Sequence, residues 1–299
     1  MTDRTAAALG LFDGVHLGHR AVLQAAAEQQ KNGLTPAAFT FHPGFAAFKG
    51  AGGYLYPKTL KANILRGECG IQEIVSADFA DIASLSGENF VQAILCKQMH
   101  AAYVVCGADF RFGRGAAWDA SDLRRFGAQY GFETEIVGAV CSGGKPVSSS
   151  RIRALLTAGD ITAANALLGS PYRIFGEIVH GAHLGHTIGF ATINQSFTEG
   201  QLVPRFGVYA SVTRTPDGWQ QSITNIGIKP TVGYAGLPLA ETHILDYSGD
   251  LYGQELEVVL TDFLRGEQKF DSLETLQLQL RSDIAVRRQI SNVYHHSDT

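Results

Sequence analysis

The chain has 299 residues, of which 45% are hydrophobic and 17% are charged, so it is long enough for two domains and apolar enough for a sizeable core. Its formal net charge of −4 gives no basic excess for nucleic acid or an anionic membrane, and its apolar runs predict neither a membrane span nor a signal peptide. The cysteines form no C-x-x-C pair, which favours buried free thiols in a reducing cytoplasm over a disulfide framework or a zinc site: Cys69, Cys96, Cys106 and Cys141.

The first half of the chain alternates short apolar runs with amphipathic stretches. Runs such as AAALGLF, TPAAFTF, IQEIVSA and AAYVVCGA predict strands, whereas HRAVLQAAAEQQ and SDLRRFGAQYG predict helices. This alternation is typical of an α/β doubly wound parallel sheet. The segment SSSRIRALLTAGDITAANALLGSP then predicts two short helices, with Asp160 as an N-cap and residues 169–171 as a stop.

The pattern changes after Tyr172 to short β-rich runs separated by glycine and proline. These runs predict a small antiparallel β-barrel, followed by an amphipathic C-terminal helix from about Ser272 to Asn292. We therefore predict two domains, residues 1–168 and residues 169–299.

The tetrapeptide HLGH occurs at His16–His19, in a turn that follows a predicted strand and opens a predicted helix. Backbone N–H groups around Gly14 and Gly18 can face a phosphate there, because such turns lie at the carboxyl end of a parallel sheet. Both imidazoles can donate to the same phosphate. A structural histidine pair or the start of a zinc site are the alternatives, although no Cys or carboxylate follows at a usual zinc spacing.

A second HLGH occurs at His183–His186, and its surroundings differ. It is followed by TIGFATIN, whose β-branched residues and glycine predict a loop and a strand rather than a helix. The two copies are therefore not repeats of one device.

Several motifs resemble one known family. GLFDGVHLGH resembles the G-x-F-D-G-x-H-x-G-H loop of the adenylyltransferases that make FAD, and VVCGADFRFGRG and VSSSRIR resemble two further segments of them. VHGAHLGHTIGFATIN, RFGVYA, TNIGIKPT, ETHILDYSGDLYGQ and FLRGEQKFDSLETLQLQL resemble the riboflavin kinase module of bacterial bifunctional riboflavin kinase/FAD synthetases. Several motifs in the right order are more specific than any one of them.

For the first half, the resemblance implies attack of an FMN phosphate oxygen on the α-phosphorus of ATP, with release of pyrophosphate and formation of FAD. Catalysis is then mainly positioning and charge neutralisation, without a protein nucleophile. The resemblance makes His16 and His19 the catalytic pair. It also implies nucleotide or phosphate contacts at Gly10, Phe12, Asp13, Gly14 and Gly18.

Two further segments complete the implied nucleotide site. By resemblance, Ser149, Ser150 and Arg153 hold phosphate from the start of a helix, and Asp109 and Arg111 shape the nucleotide pocket. The alternatives from the residues alone are a simple helix cap in SSSRIR and a surface ion pair between Asp109 and Arg111.

For the second half, the resemblance implies transfer of the γ-phosphate of ATP to a ribityl hydroxyl of riboflavin. Glu241 matches the base, Thr192 and Asn194 match residues that organise Mg²⁺, and Asn225 and Thr231 fall in a flavin or nucleotide loop. Without the family, Glu241 is a solvent-facing strand residue and TNIGIKPT is a Gly-Pro turn. The implied ATP-binding loop contains Gly181, Gly185, His186, Gly189 and Phe190.

The chain departs from the family pattern at a few positions. His186 and Ala191 stand where the family has Arg and Pro, Ser150 replaces a Thr, and the usual P-H-P is shortened to His42 and Pro43. A flavin-binding or regulatory homologue that has lost one activity therefore stays an alternative. An RNA-linked nucleotidyl transferase is disfavoured by the acidic balance. The oligomeric state is left open.

Overall fold

The computed structural model describes residues 4–42, 52–179, 190–228 and 238–290. It contains two compact units, Met1–Arg151 and Ile152–Thr299. Each unit is built around a sheet of its own.

The first unit contains a five-stranded parallel sheet with strand order β3-β2-β1-β4-β7, and two small hairpins, β5-β6 and β8-β9. The predicted α/β doubly wound fold is confirmed. Strand β1 lies in the centre, and all of its residues are buried, as expected for a parallel strand covered on both faces. The strands are β1 Thr5–Leu9, β2 Thr35–His42, β3 Glu73–Asp78, β4 Ala101–Gly107, β5 Arg111–Phe112, β6 Trp118–Asp119, β7 Glu133–Val137, β8 Cys141–Ser142 and β9 Lys145–Pro146.

Helices connect these strands. The first is α1, Leu17–Ala27, which continues into a 3₁₀ turn, Glu28–Asn32. A short helix, Gly87–Phe90 (α4), runs directly into a π-helix, Val91–Gln98. The others are α2 Lys58–Cys69, α3 Phe79–Ile82, α4 Gly87–Phe90, α5 Ala120–Tyr130 and α6 Ser149–Ala158, the last of which crosses the division between the units.

The strand order places a topological switch point at β1. The chain proceeds from β1 to β2 and β3 on one side, whereas β4 and β7 extend the sheet on the other. Doubly wound sheets bind ligands outside the carboxyl ends of the strands at such a point. The loop after β1 and the loop after β4 therefore start at the same edge of the sheet.

The second unit contains a closed antiparallel barrel of order β10-β11-β14-β13-β12-β15, which confirms the predicted barrel. Its strands are β10 Tyr172–Val179, β11 Ile193–Ser196, β12 Gly207–Thr215, β13 Gly218–Ile228, β14 Pro238–Ile244 and β15 Glu255–Arg265. Hydroxyl groups mix with aliphatic side chains on its buried face, where Ser211, Ser222 and Thr224 hydrogen-bond to one another across the strands.

The predicted C-terminal helix is present as α8, Leu273–Gln289, and Ser272 caps it by accepting a hydrogen bond from Thr275 N. The predicted end at Asn292 lies outside the described residues. Two charged side chains of α8 are buried against the barrel. Arg287 donates to the Ser211 carbonyl at 2.9 Å, and Asp283 accepts from the Arg265 guanidinium.

The cysteines are free thiols, but the expectation that they are buried is right only for Cys106. Cys69 and Cys96 are partly exposed, and Cys141 is exposed because it lies in the small hairpin β8-β9 rather than in the central sheet.

Helix α7, Ile161–Leu168, packs on the barrel within the second unit. Asn165 joins the two, because its side-chain amide donates to the Leu260 carbonyl at 3.0 Å and its side-chain oxygen accepts from Tyr172 N at 2.7 Å. Leu167 and Leu168 are buried. The predicted domain boundary between residues 168 and 169 stays a prediction. The contacts between α7 and the barrel allow it to be tested by comparing fragments with and without α7.

A fragment of residues 152–299 is expected to resist urea better than a fragment of residues 169–299. The shorter fragment loses both Asn165 hydrogen bonds and the buried side chains of Leu167 and Leu168. Burial of each leucine side chain contributes about 1.5–3 kcal/mol to the free energy of unfolding. Urea unfolding followed by circular dichroism measures the difference. Equal midpoints and equal slopes would show that α7 is not needed by the barrel.

Candidate active sites

The loop between β1 and α1 adopts an unusual backbone conformation. Phe12, Gly14 and Val15 have φ values of +52°, +82° and +43°. Glycine tolerates this left-handed region, whereas a bulky or β-branched residue there costs roughly 1–3 kcal/mol and persists only where the surroundings impose it. Phe12 and Val15 are both fully buried. The loop is therefore held in shape by its neighbours.

Side-chain hydrogen bonds from distant parts of the chain fix this loop. Leu55 N donates to Asp13 Oδ1 at 2.8 Å, Ser149 Oγ donates to the Asp13 carbonyl at 2.8 Å, and Lys61 Nζ donates to the Leu11 carbonyl at 3.0 Å. Asp13 is buried, so its carboxylate stabilises the loop. Direct phosphate contact by Asp13 or Ser149 stays a prediction.

Two glycines of the motif are needed for close packing. A Cβ atom on Gly10 would lie 2.9 Å from the Phe12 ring, and one on Gly18 would lie 3.2 Å from the His16 ring. The motif therefore keeps glycine where aromatic rings cover the backbone.

His16 and His19 lie together at the start of α1, as the motif predicts. His16 is the N-cap, and its Nδ1 accepts a hydrogen bond from His19 N at 3.3 Å. The two rings stack with centroids 3.6 Å apart, and the Phe12 ring meets His19 edge-on. Because Nδ1 of His16 accepts, neutral His16 carries its proton on Nε2. Nδ1 of His19 is enclosed without a hydrogen-bond partner in the described part of the chain.

The environment keeps His19 uncharged. Burial lowers the pKa of His19 well below its usual value of 6.5, and the charges of His16 and Lys61 lower it further. Protonation of both stacked imidazole rings, those of His16 and His19, would place two positive charges in contact. His19 is therefore a neutral hydrogen-bonding group at pH 7.

Folding stability is expected to fall as the pH drops below about 6.5, because His19 titrates lower in the folded chain than in the unfolded one. The unfolded state then binds more protons, so acid favours unfolding in that window. His19→Ala removes this contribution. Urea unfolding of both proteins at a series of pH values measures it, and parallel curves would contradict the neutral assignment.

The serines of VSSSRIR lie in different environments. Ser148 Oγ accepts from Arg151 N at 3.3 Å and caps α6, which supports the helix-cap interpretation for that residue alone. Ser149 binds the Asp13 carbonyl, Ser150 is exposed, and Arg153 is buried one turn later. Phosphate binding by Ser150 and Arg153 stays a prediction.

The loop after β4 begins beside the loop after β1, because the two strands are neighbours. Asp109 is exposed in this loop, and Arg111 lies opposite Asp119 in the β5-β6 hairpin. In residues 4–42, 52–179, 190–228 and 238–290, no ion pair joins Asp109 to Arg111, so the surface ion-pair alternative is wrong. Their nucleotide contacts stay a prediction.

The barrel brings three predicted kinase residues into one row. Asn194 on β11 pairs with Glu241 on β14, and Glu241 pairs with Asn225 on β13. Directly opposite residues of antiparallel strands share a face, with Cβ atoms about 4.5–5.5 Å apart. Asn225 is therefore a strand residue rather than a loop residue. The row lies on the face opposite to the buried hydroxyl groups, since Thr242 and Thr224 occupy the alternate positions.

His243 lies within the motif ETHILDYSGDLYGQ, but the sequence analysis predicted no role for it. It follows Glu241 by two positions and so shares its face. Its Nδ1 donates to the Ala191 carbonyl at 2.8 Å, and its ring meets Phe190 edge-on at 5.5 Å. The alternation E-x-H within the strand ETHILDY is the signal that could have found it. The hydrogen bond restrains Ala191, which stands at the position where the family has proline.

Thr192 lies immediately before β11, two residues from Asn194. Its hydroxyl and the Asn194 amide are hard oxygen donors, which suit Mg²⁺ when phosphate oxygens and water complete the shell. No group of three or more His, Cys, Asp or Glu that could hold a metal occurs in the described residues. Within that part of the chain, His16 and His19 therefore do not belong to such a group.

Five predicted site residues lie outside the described residues: Gly181, Gly185, His186, Gly189 and Thr231. The same holds for Pro43 and for the side chain of His42.

The first unit is a parallel α/β domain with a glycine-containing strand-to-helix loop, and the second is an antiparallel barrel bearing an Asn-Glu-Asn row. This combination defines a two-domain transferase that uses nucleotides. The FAD synthetase family matches residues 1–151 and the riboflavin kinase family matches residues 168–291. The chain belongs to the bifunctional riboflavin kinase/FMN adenylyltransferase family.

Relatives match nearly the whole chain. A bifunctional riboflavin kinase/FMN adenylyltransferase of Escherichia coli K12 is 37% identical over 94% of this chain and 91% of its own length. A bifunctional riboflavin kinase/FMN adenylyltransferase of Listeria monocytogenes is 35% identical over 92% of this chain and 89% of its own length. The fold also matches a crystal structure from Streptococcus pneumoniae that is described as a macrolide-efflux protein. The match covers 97% of this chain and 96% of that chain, with 28% sequence identity and a TM-score of 0.83. In the described residues of the present chain, no helix is long and apolar enough to cross a membrane.

Proposed function

We propose that this chain phosphorylates riboflavin to FMN with ATP and then adenylylates FMN to FAD, releasing pyrophosphate. The main support is that one chain has both kinds of site, a stacked histidine pair in the first unit and the Asn-Glu-Asn row in the second. Family membership supports the same pair of reactions. The substrates are therefore ATP, riboflavin and FMN, and the final product is FAD.

In the adenylyl transfer, a phosphate oxygen of FMN attacks the α-phosphorus of ATP and the bond to pyrophosphate breaks. The protein supplies donors and dipoles rather than a nucleophile. His16 donates through Nε2, His19 donates as a neutral imidazole, and the start of α1 presents backbone N–H groups. Ser150 and Arg153 add contacts from α6.

In the phosphoryl transfer, the ribityl hydroxyl attacks the γ-phosphorus of ATP and ADP leaves. Glu241 takes the hydroxyl proton, and Asn225 beside it orients the flavin side chain. Thr192 and Asn194 would hold Mg²⁺, which neutralises phosphate charge when bound. The strand pairing keeps the base and the amide oxygen of Asn194 adjacent.

The contact of His243 with Ala191 favours an active kinase over a flavin-binding homologue. Proline at this position would restrict the backbone, and alanine does not. The hydrogen bond from His243 Nδ1 to the Ala191 carbonyl restrains the same segment in another way. A cytoplasmic location is supported by the free thiols of all four cysteines.

Incubation of the full chain with riboflavin, ATP and Mg²⁺, followed by chromatography of the flavins, tests the proposal. We expect riboflavin to disappear, FMN to rise first and FAD to accumulate. A binding or regulatory homologue gives neither product, and a chain with a degenerate kinase half gives FAD only when FMN is supplied. Retention of RNA that weakens with salt would instead favour the RNA-linked alternative.

A further inference from the structure

Lys61 is a buried lysine that none of the recognised motifs contains. It lies on α2 among Leu60, Ile64 and Leu65, and only 7% of it is exposed. Lysine is almost never this buried unless its ammonium group is compensated. A specific set of partners is therefore expected around Nζ.

Those partners belong to the edge of the sheet beneath the β1–α1 loop. Nζ donates to the Leu11 carbonyl at 3.0 Å and to Thr40 Oγ1 at 2.9 Å. Thr40 Oγ1 itself donates to the Leu11 carbonyl at 2.9 Å, which closes a triangle of hydrogen bonds. Leu11 immediately precedes the left-handed Phe12. Lys61 thus holds the first residue of the strained turn, while Ser149 and Leu55 hold Asp13.

The positive charge of Lys61 also acts on His19. Burial lowers the pKa of Lys61 to about 8, the Asp13 carboxylate opposes this, and Lys58 adds to the lowering. Lys61 is therefore mostly protonated at pH 7. It contributes to the lowered pKa of His19, after burial and His16.

We propose that Lys61 is a positioning residue of the adenylyl-transfer site: its ammonium group fixes the Leu11 carbonyl and thereby the left-handed turn that carries His16 and His19 to the phosphate. The inference rests on the proposed function and adds to it a residue on a different helix. Lys61 acts through the loop and through the protonation state of His19, not by contact with the reacting atoms.

Lys61→Met tests this, because methionine keeps most of the apolar stem and removes the charge and the donors. We expect kcat for FMN-to-FAD conversion to fall by about 10²-fold, the size of effect that misplacement of catalytic groups produces. Riboflavin phosphorylation by the same chain is the internal control and is expected to be unchanged. Lys58→Met is the matched control, since Lys58 lies on the same helix but is exposed.

A second measurement reports the link to His19 directly. In Lys61→Met, NMR titration of the His19 ring is expected to give a higher pKa than in the wild type, whereas Lys58→Met gives a smaller change. A merely structural lysine would not produce this pair of results. The titration also remains informative if the wild-type chain makes no FAD, so failure of the proposed function is distinguishable from failure of this inference.

Thr40→Val covers the case in which Lys61→Met does not fold. It keeps the shape and the charge but removes the hydroxyl that accepts from Nζ. We expect a partial loss of adenylylation kcat with an unchanged kinase rate. Wild-type FAD synthesis in either variant, or equal losses in Lys61→Met and Lys58→Met, would overturn the inference.

Discussion

His19→Ala is expected to reduce FMN-to-FAD conversion by about 10²-fold or more while riboflavin phosphorylation persists. His19 is buried at the start of α1, stacked on His16, and held neutral. A neutral donor in a desolvated position stabilises developing phosphate charge without needing to reorganise. Alanine removes the imidazole donor but keeps the hydrogen bond from the backbone N–H of residue 19 to His16 Nδ1. Separate assays with FMN and with riboflavin as substrate measure the two rates.

Two conservative variants identify the nitrogen that donates. Glutamine places its amide nitrogen near the position of Nε2, and asparagine places it near Nδ1. Because Nδ1 of His19 is enclosed without a partner in the described residues, we expect His19→Gln to retain more adenylylation than His19→Asn. FAD synthesis at the wild-type rate in His19→Ala would remove His19 from the reaction altogether.

The sequence predicted the position of the histidine pair but not its geometry. Gly14, Gly18 and the strand-to-helix order placed the loop at the carboxyl end of β1, where the structure has it. The left-handed conformations of Phe12 and Val15 could not be predicted, because neither residue favours them. They are imposed by tethers that are distant in the sequence, at Leu55, Lys61 and Ser149.

The same limit applies to the barrel. Alternating residues predicted its strands, but the alignment of Asn194, Glu241 and Asn225 depends on register, which long-range pairing fixes. A shift by one residue would move Glu241 to the buried face. The role of Asn165 between α7 and the barrel was hidden for a similar reason, since its partner Leu260 is far along the chain.

Glu241→Gln is expected to lower riboflavin phosphorylation by about 10²–10⁴-fold, the range that a positioned general base contributes. Glutamine keeps the shape of the side chain and its place between Asn194 and Asn225, but it cannot accept the proton of the attacking hydroxyl. Conversion of supplied FMN to FAD is expected to continue at the wild-type rate. Chromatography of the products from riboflavin and from FMN gives both rates with one protein.

Two further variants separate proton transfer from metal binding and from general effects on the barrel. Glu255→Gln makes the same chemical change at an exposed position of β15, so it is expected to leave both activities intact. Asn194→Ala removes an oxygen donor beside Glu241, so its lost kinase rate is expected to recover partly as Mg²⁺ is raised. Glu241→Gln is not expected to recover, because added metal cannot supply a base. Full kinase turnover in Glu241→Gln, or recovery with Mg²⁺ equal to that of Asn194→Ala, would show that Glu241 serves the metal or the fold rather than the proton.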